Sequence, residues 1–70
     1  MPDDIATALR EENLFERYHA RPPYQQNDYI GWITRAKQDA TRQKRLRQML
    51  DELHAGNTYM GMSYHAKQQA

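Results

Sequence analysis

Two consecutive prolines, Pro22 and Pro23, interrupt the 70-residue chain near the end of its first third. Neither donates a backbone N–H, and each pushes the residue before it out of the α region, so no helix runs through Arg21-Pro22. A new helix can start with Pro23 in its first turn, where the missing N–H has no partner to lose. The fold must therefore be assembled from several short pieces. A chain of this size buries only ~60% of the surface its unfolded form exposes, and this one has little to bury: five Leu, three Ile, one Phe and no Val. Five Tyr, four Met and one Trp supply much of the remaining apolar volume. So low an aliphatic content borders on that of disordered chains, but a formal net charge of only +1 argues for collapse. The lack of Val and the abundance of Ala, Gln, Arg, Lys, Glu and Leu favour helix over strand.

The residues from Pro2 to Arg10 predict a short helix, with Asp3 and Asp4 at its positive end, Ile5 and Leu9 four apart, and Arg10 at its negative end. A second turn is expected over residues 13–18, capped by Asn13, with Leu14, Phe15 and Tyr18 on one face. Beyond the prolines, residues 24–37 predict a third helix. At ~100° per residue its Tyr29, Trp32, Ile33 and Ala36 fall within about a third of a turn, and Ile30 widens that stripe. Gly31 projects from the other side at a cost of ~1 kcal/mol relative to Ala, so it either admits a close neighbour or is tolerated. Trp32, the sole Trp, is expected at the centre of the core.

Leu46, Met49, Leu50 and Leu53 give the clearest period, predicting a last helix from an N-cap at Asp39 to Ala55, stopped by Gly56. Residues 57–70 show no period and are expected as a flexible tail. The fold class that results is all-α: a small bundle of three or four short helices forming one domain over residues 1–56, followed by that tail. Its last two helices should form an antiparallel pair around Trp32, Ile33, Leu46, Met49, Leu50 and Leu53. So small a core makes a monomer or a weak dimer the expected state.

The chemistry-bearing residues are sparse. With no Cys there are no disulfides, thiol nucleophiles, iron–sulfur clusters or thiolate zinc sites. His19, His54 and His65 are not spaced to place two on one helical face, and none belongs to a metal motif. Asp51, three residues before His54, reads as part of a solvated helix end with the imidazole near the negative pole. Gly31, Gly56 and Gly61 are isolated, which excludes a phosphate loop, and Ser63 falls in the expected tail. No catalytic residue, cofactor or metal ligand is assigned, and the chain is not read as an enzyme. No apolar run approaches the ~20 residues of a membrane span and no signal peptide is recognisable, so a cytoplasmic location is expected.

Charge is unevenly distributed. Residues 1–17 hold five acids against two bases, and residues 35–47 hold six bases against the single acid Asp39. Those six bases, Arg35, Lys37, Arg42, Lys44, Arg45 and Arg47, are the candidate partner-binding residues. They read either as a solvated face partly complemented by the acidic N-terminal segment, or as a surface for an acidic protein, nucleic acid or an anionic membrane. At ~100° per residue Arg42 lies on the line of Leu46, Met49 and Leu53 and Arg45 flanks it, whereas Lys44 and Arg47 point away. Arg42 is thus either an anchor meeting a carboxylate or helix-end carbonyls, or one half of an anion site with Arg45.

The string Trp32-Ile33-Thr34-Arg35-Ala36-Lys37, followed by Thr41-Arg42 and Arg45-Leu46, resembles the W-I-x-x-A-K-x-x-x-T-R-x-x-R-[IL] signature of the bacteriocin-protection, YdeI or OmpD-associated family of bacteria. Pro2, Ile5, Ala8 and Leu9 are similar to its P-x-x-[LI]-x-x-A-L opening, and Leu53 with Gly56 to its L-x-x-G close. Phe15, the proline break with Tyr24, and Asp28-Tyr29-Ile30 also match in order. The resemblance covers about residues 2–56 and implies an all-helical bacterial module with no established catalysis. It also implies protection against bacteriocins or cationic antimicrobial peptides and association with an outer-membrane porin. The positions it implicates are Trp32, Ala36, Lys37, Thr41, Arg42 and Arg45. Members often continue with basic residues after the closing Gly, where this chain has Asn57-Thr58. The expected function is a non-catalytic interaction module that meets an acidic partner through the cationic surface of the last two helices. The alternative is a small helical nucleic-acid binder, which needs Arg35, Lys37, Lys44, Arg45 and Arg47 on one exposed surface. The near-neutral total charge and the absence of interleaved aromatics rank it second.

Overall fold

A computed structural model of the chain describes residues 1–63. Four helices, α1 (Asp3–Glu11), α2 (Phe15–Ala20), α3 (Pro23–Thr34) and α4 (Asp39–Ala55), are followed by two short strands, β1 (Thr58–Tyr59) and β2 (Met62–Ser63). The strands pair antiparallel, with Thr58 opposite Ser63 and Tyr59 opposite Met62. The all-α class holds, with this hairpin as an appendage to the helices.

Local chemistry explains the boundaries. Asn13 does not cap α2; it ends α1, adopting the left-handed conformation at φ 58°. The Leu14 N–H bonds the Leu9 carbonyl at 2.8 Å and the Asn13 N–H bonds the Arg10 carbonyl at 3.2 Å. This is the Schellman stop, completed by the contact of two buried leucines, Leu9 and Leu14. Asn substitutes for the usual Gly because its short polar side chain tolerates positive φ. Helix α2 consequently begins only at Phe15. Helix α3 has Pro23 in its first turn, as the sequence predicts, but ends at Thr34 rather than Lys37. Had it reached Lys37, one residue would remain to reverse the chain into α4, whereas helix–helix connections need two or more. Helix α4 ends as expected at Ala55, but its N-cap is Gln38 and not Asp39, which lies in the first turn where its charge complements the helix dipole. It stops at Gly56, whose φ of 83° lets its N–H bond the Glu52 carbonyl at 2.8 Å.

The core draws on all four helices: Ile5 and Leu9, Leu14 and Tyr18, Tyr29 and Ile33, and Leu46, Met49, Leu50 and Leu53. Tyr29 is the largest fully buried side chain. Trp32 is only partly buried and packs against the rim, which corrects the expectation that it forms the centre. Tyr29 and Ile33, four apart on α3, take the inward line, and Trp32 falls about 60° to one side.

The C-terminal carbonyls of α4 are taken by arginines from the preceding half of the chain. Arg17 Nη1 donates to the carbonyls of Leu53 at 3.2 Å and His54 at 2.7 Å, and Arg21 Nη2 donates to that of Glu52 at 3.1 Å. Cations at this pole complement both the unpaired carbonyls and the helix dipole.

Residues 58–63, expected as part of a flexible tail, form the hairpin instead. Its turn has positive φ at both central residues, Met60 (53°) and Gly61 (81°), the type I′ geometry that matches strand twist. Two strands of two residues leave no alternation to read, and the hairpin's fastening comes from a side chain of α4. The remainder of the expected tail, residues 64–70, lies outside the described residues.

Candidate functional site

The six cations singled out in the sequence divide into two sets. Arg42 faces inward, as its helical position predicts, and grips Asp4 with two parallel bonds, Nε to Oδ2 at 2.9 Å and Nη2 to Oδ1 at 3.0 Å. This pair joins the first turn of α1 to the first turn of α4, and Arg42 holds the Asp4 carboxyl below its ordinary range. Arg45 donates to the Trp32 carbonyl at 2.6 Å, one of the unpaired carbonyls in the last turn of α3, and its guanidinium stands 5.4 Å from the centre of the indole. Arg47 makes a double contact with Glu12, at 2.8 and 3.0 Å, and reaches Asp51 at 3.0 Å. His54 Nε2 completes that group 2.9 Å from Glu12 Oε1. The Glu12 carboxyl is consequently held down at about 2, chiefly by Arg47 and then by His54. Arg42 is thus an anchor. With its guanidinium on Asp4 and that of Arg45 on Trp32, the two do not form a shared anion site.

Arg35, Lys37 and Lys44 form the second set: all are exposed, and none makes an ion pair among the described residues. Arg35 and Lys37 stand at the α3–α4 turn and Lys44 on the outer side of α4. The Arg35 side chain folds back over Gly31, where a Cβ would come within 2.9 Å of Nη1. The missing side chain of Gly31 therefore admits a close neighbour, a flexible guanidinium. Lys44 lines an open groove of about 460 Å³ together with Arg47, Gln48, Asp51, Glu52 and Thr58, between the outer face of α4 and β1.

At the other border of that groove lies a polar centre that sequence reasoning missed. Glu52 is buried, and each carboxylate oxygen accepts two hydrogen bonds. Oε1 receives the Tyr29 hydroxyl and, at 2.8 Å, the Met60 N–H; Oε2 receives the Gly61 N–H at 2.7 Å and Gln48 Nε2 at 3.2 Å. Burial pushes this carboxyl up, but the four donors together outweigh it and hold the group below its ordinary range. The Tyr29 hydroxyl is correspondingly pushed above its usual value by burial and by the adjacent carboxylate. Nearby, Arg21 Nη1 donates to Gln25 Oε1 at 3.1 Å, and Gln25 Nε2 donates to the Tyr24 hydroxyl at 3.0 Å. The one signal in the sequence was angular: Glu52 falls only about 60° from Met49 on α4, at the edge of the apolar stripe.

Among the described residues no three His, Asp or Glu side chains converge to hold a metal ion, and no helix is long and apolar enough to cross a membrane. His19 is engaged by its neighbours, with ring centres 5.8 Å from Phe15 and 5.3 Å from Tyr18.

Comparison with known families matches residues 1–56 to the model of the family described as bacteriocin-protection, YdeI or OmpD-associated. Neither a curated protein nor a solved structure matches the chain.

Proposed function

Because the chain belongs to the bacteriocin-protection, YdeI or OmpD-associated family, we propose that it is a non-catalytic helical interaction module of a bacterial protection or stress protein, and that Arg35, Lys37 and Lys44 engage an acidic protein partner. The division of the cations carries this reading. Arg42, Arg45 and Arg47 are committed to partners inside the fold, whereas Arg35, Lys37 and Lys44 keep their full charge available at the surface. Exposed cations of this kind raise the rate of encounter with an acidic surface and select against basic ones. Three cations without an ion pair among the described residues, and without interleaved aromatics, are a slender footprint for nucleic acid, which draws its affinity from many phosphate contacts and from stacked bases.

Backbone amide NMR of the full chain, titrated at low salt with a Glu-rich peptide and separately with short duplex DNA, tests the reading. The peptide is expected to shift the amides of residues 35–38 and of Lys44, and the combined substitution R35E/K37E/K44E to abolish the shifts while leaving the folded spectrum intact. Larger shifts with DNA, with an affinity whose logarithm falls against log salt by about 0.9 per phosphate contacted, would replace this reading by the nucleic-acid one. Shifts that persist in the triple variant would remove these three residues from the contact.

A further inference from the structure

The hairpin stands just beyond residues 1–56, the part matched by the family, and one side chain of α4 fastens its turn. Met60 and Gly61 are consecutive residues with positive φ, and their N–H groups point together at the Glu52 carboxylate, at 2.8 and 2.7 Å. Successive amides in such a turn form a concave receptor for an anion, and here the anion comes from the protein itself. Met at φ 53° is strained where Gly or Asn would be relaxed. The turn therefore depends on the carboxylate that binds it.

What the hairpin touches is equally specific: it covers the buried Tyr29, while Tyr24 stays exposed at its side. The Tyr59 ring packs edge-on against Tyr29, 5.4 Å between centres, and against Tyr24 at 6.1 Å, and its hydroxyl donates to Asp28 at 2.5 Å. Met60 packs against the core. The groups around Glu52 are Tyr29 from α3, Gln48 from α4, the turn amides, Arg21 from the end of α2, and Lys44, Arg47 and Asp51 along the groove. Asp28 and Tyr24 flank the hairpin on the α3 side.

We propose that the hairpin is an acid-releasable latch: ionised Glu52 fastens its turn across α3 and α4, and protonation of that carboxyl frees the hairpin and uncovers Tyr29 while the four-helix core stays folded. A proton placed on either oxygen meets donors already in position. The Tyr29 hydroxyl can rotate to accept it, but the Met60 and Gly61 amides can only donate, so their charge-assisted bonds fall to about half their strength. The depressed titration of Glu52 sets the direction. The latch is closed at neutral pH and opens as pH falls below the ordinary glutamate range.

The test is an NMR titration of the full chain from neutral to acid pH, following backbone amides together with the side-chain carboxyl carbons. The Met60 and Gly61 amides are expected to move with the midpoint of the Glu52 carboxyl, while the amides of Ile5, Ile33, Leu46 and Leu53 retain their folded positions. In Glu52→Gln at neutral pH, amide exchange at Met60 and Gly61 is expected to accelerate about tenfold, with the core amides changed by less than about twofold. Hairpin amides that instead follow the carboxyl of Asp4, Glu12 or Asp28, or that disappear together with the core, overturn the proposal. Should Glu52→Gln not fold, the titration of the natural sequence decides alone.

Discussion

Replacing Tyr29 by Phe deletes one hydroxyl from the middle of the molecule and leaves the buried ring in place. That hydroxyl donates to the ionised Glu52, and a hydrogen bond to a charged partner contributes about 1.5–3 kcal/mol. Glu52 would keep the Met60 and Gly61 amides and Gln48, so its carboxylate is not stranded and the loss belongs near the lower limit, about 1.5–2 kcal/mol. In a domain of this size each kcal/mol moves the unfolding midpoint by about 4–8 °C, which places Tm about 6–16 °C lower. Tyr18→Phe is the matched control. Tyr18 is also buried, but its hydroxyl reaches the Gln26 carbonyl only at 3.4 Å, the long limit of such a bond, and its loss should stay below about 0.5 kcal/mol. Thermal and urea unfolding followed by circular dichroism at neutral pH measures both. The sign of the pH dependence is a second check. Glu52 titrates below its unfolded value, so its contribution is present above the ordinary glutamate range and is lost as pH falls through its folded value. Removing the Tyr29 hydroxyl raises that folded value, so the gap between Tyr29→Phe and the natural sequence must narrow in acid. Equal midpoints for the two Tyr→Phe variants, or a gap that widens on acidification, would refute the role given to this hydroxyl.

Three other outcomes are expected. Arg42→Ala lowers the thermal midpoint clearly and Lys44→Ala barely does, since Arg42 holds a bidentate carboxylate and Lys44 makes no ion pair among the described residues; in a double-mutant cycle, adding Asp4→Asn to Arg42→Ala brings little further loss. Asn13→Gly stabilises by up to about 1 kcal/mol in urea unfolding, because the left-handed stop prefers Gly, whereas Asn13→Val destabilises by about 1–2 kcal/mol. The Glu12 carboxyl, lowered from 4.5 to about 2, contributes stability above the upper value and loses it as pH falls through the lower one. Glu12→Gln should therefore flatten the pH–stability profile in that window, and a profile of unchanged slope would show that the exposed Glu12–Arg47–His54 cluster adds nothing.

The face and the C-terminal end of α4 were legible because four apolar side chains at spacings of three and four, together with Gly56, fix them, whereas its N-cap lies one residue before the expected Asp39. The inward direction of Arg42 was legible for the same reason, since a helix converts sequence number into angle. Positions decided by partners distant in sequence were less so. Asn13 carries the chemistry of an N-cap and of a left-handed stop equally, and only the contact between Leu9 and Leu14 selects the second. Trp32 shares a helical face with Ile33 and Ala36 and so reads as central, but Tyr29 and Ile33 are the buried pair and Arg45 stands beside the indole. The division of the six cations depended on carbonyls and carboxylates 4 to 38 residues away. Glu52 was obscured most completely. A glutamate on a charged helix reads as solvated until a turn eight and nine residues later delivers its amides.

The arginines at the end of α4 bear on how the molecule comes apart. A terminal helix ordinarily frays from its free end, one turn at a time, without disturbing the rest. Here the last carbonyls are held by Arg17, within the short α2, and by Arg21, at its C-cap, so unwinding that end also releases α2 and the proline corner behind it. Helix α2 and the end of α4 consequently share one melting event. Deuterium uptake should reach the final turn of α4 no sooner than its middle, and truncation of either arginine should convert that single event into two.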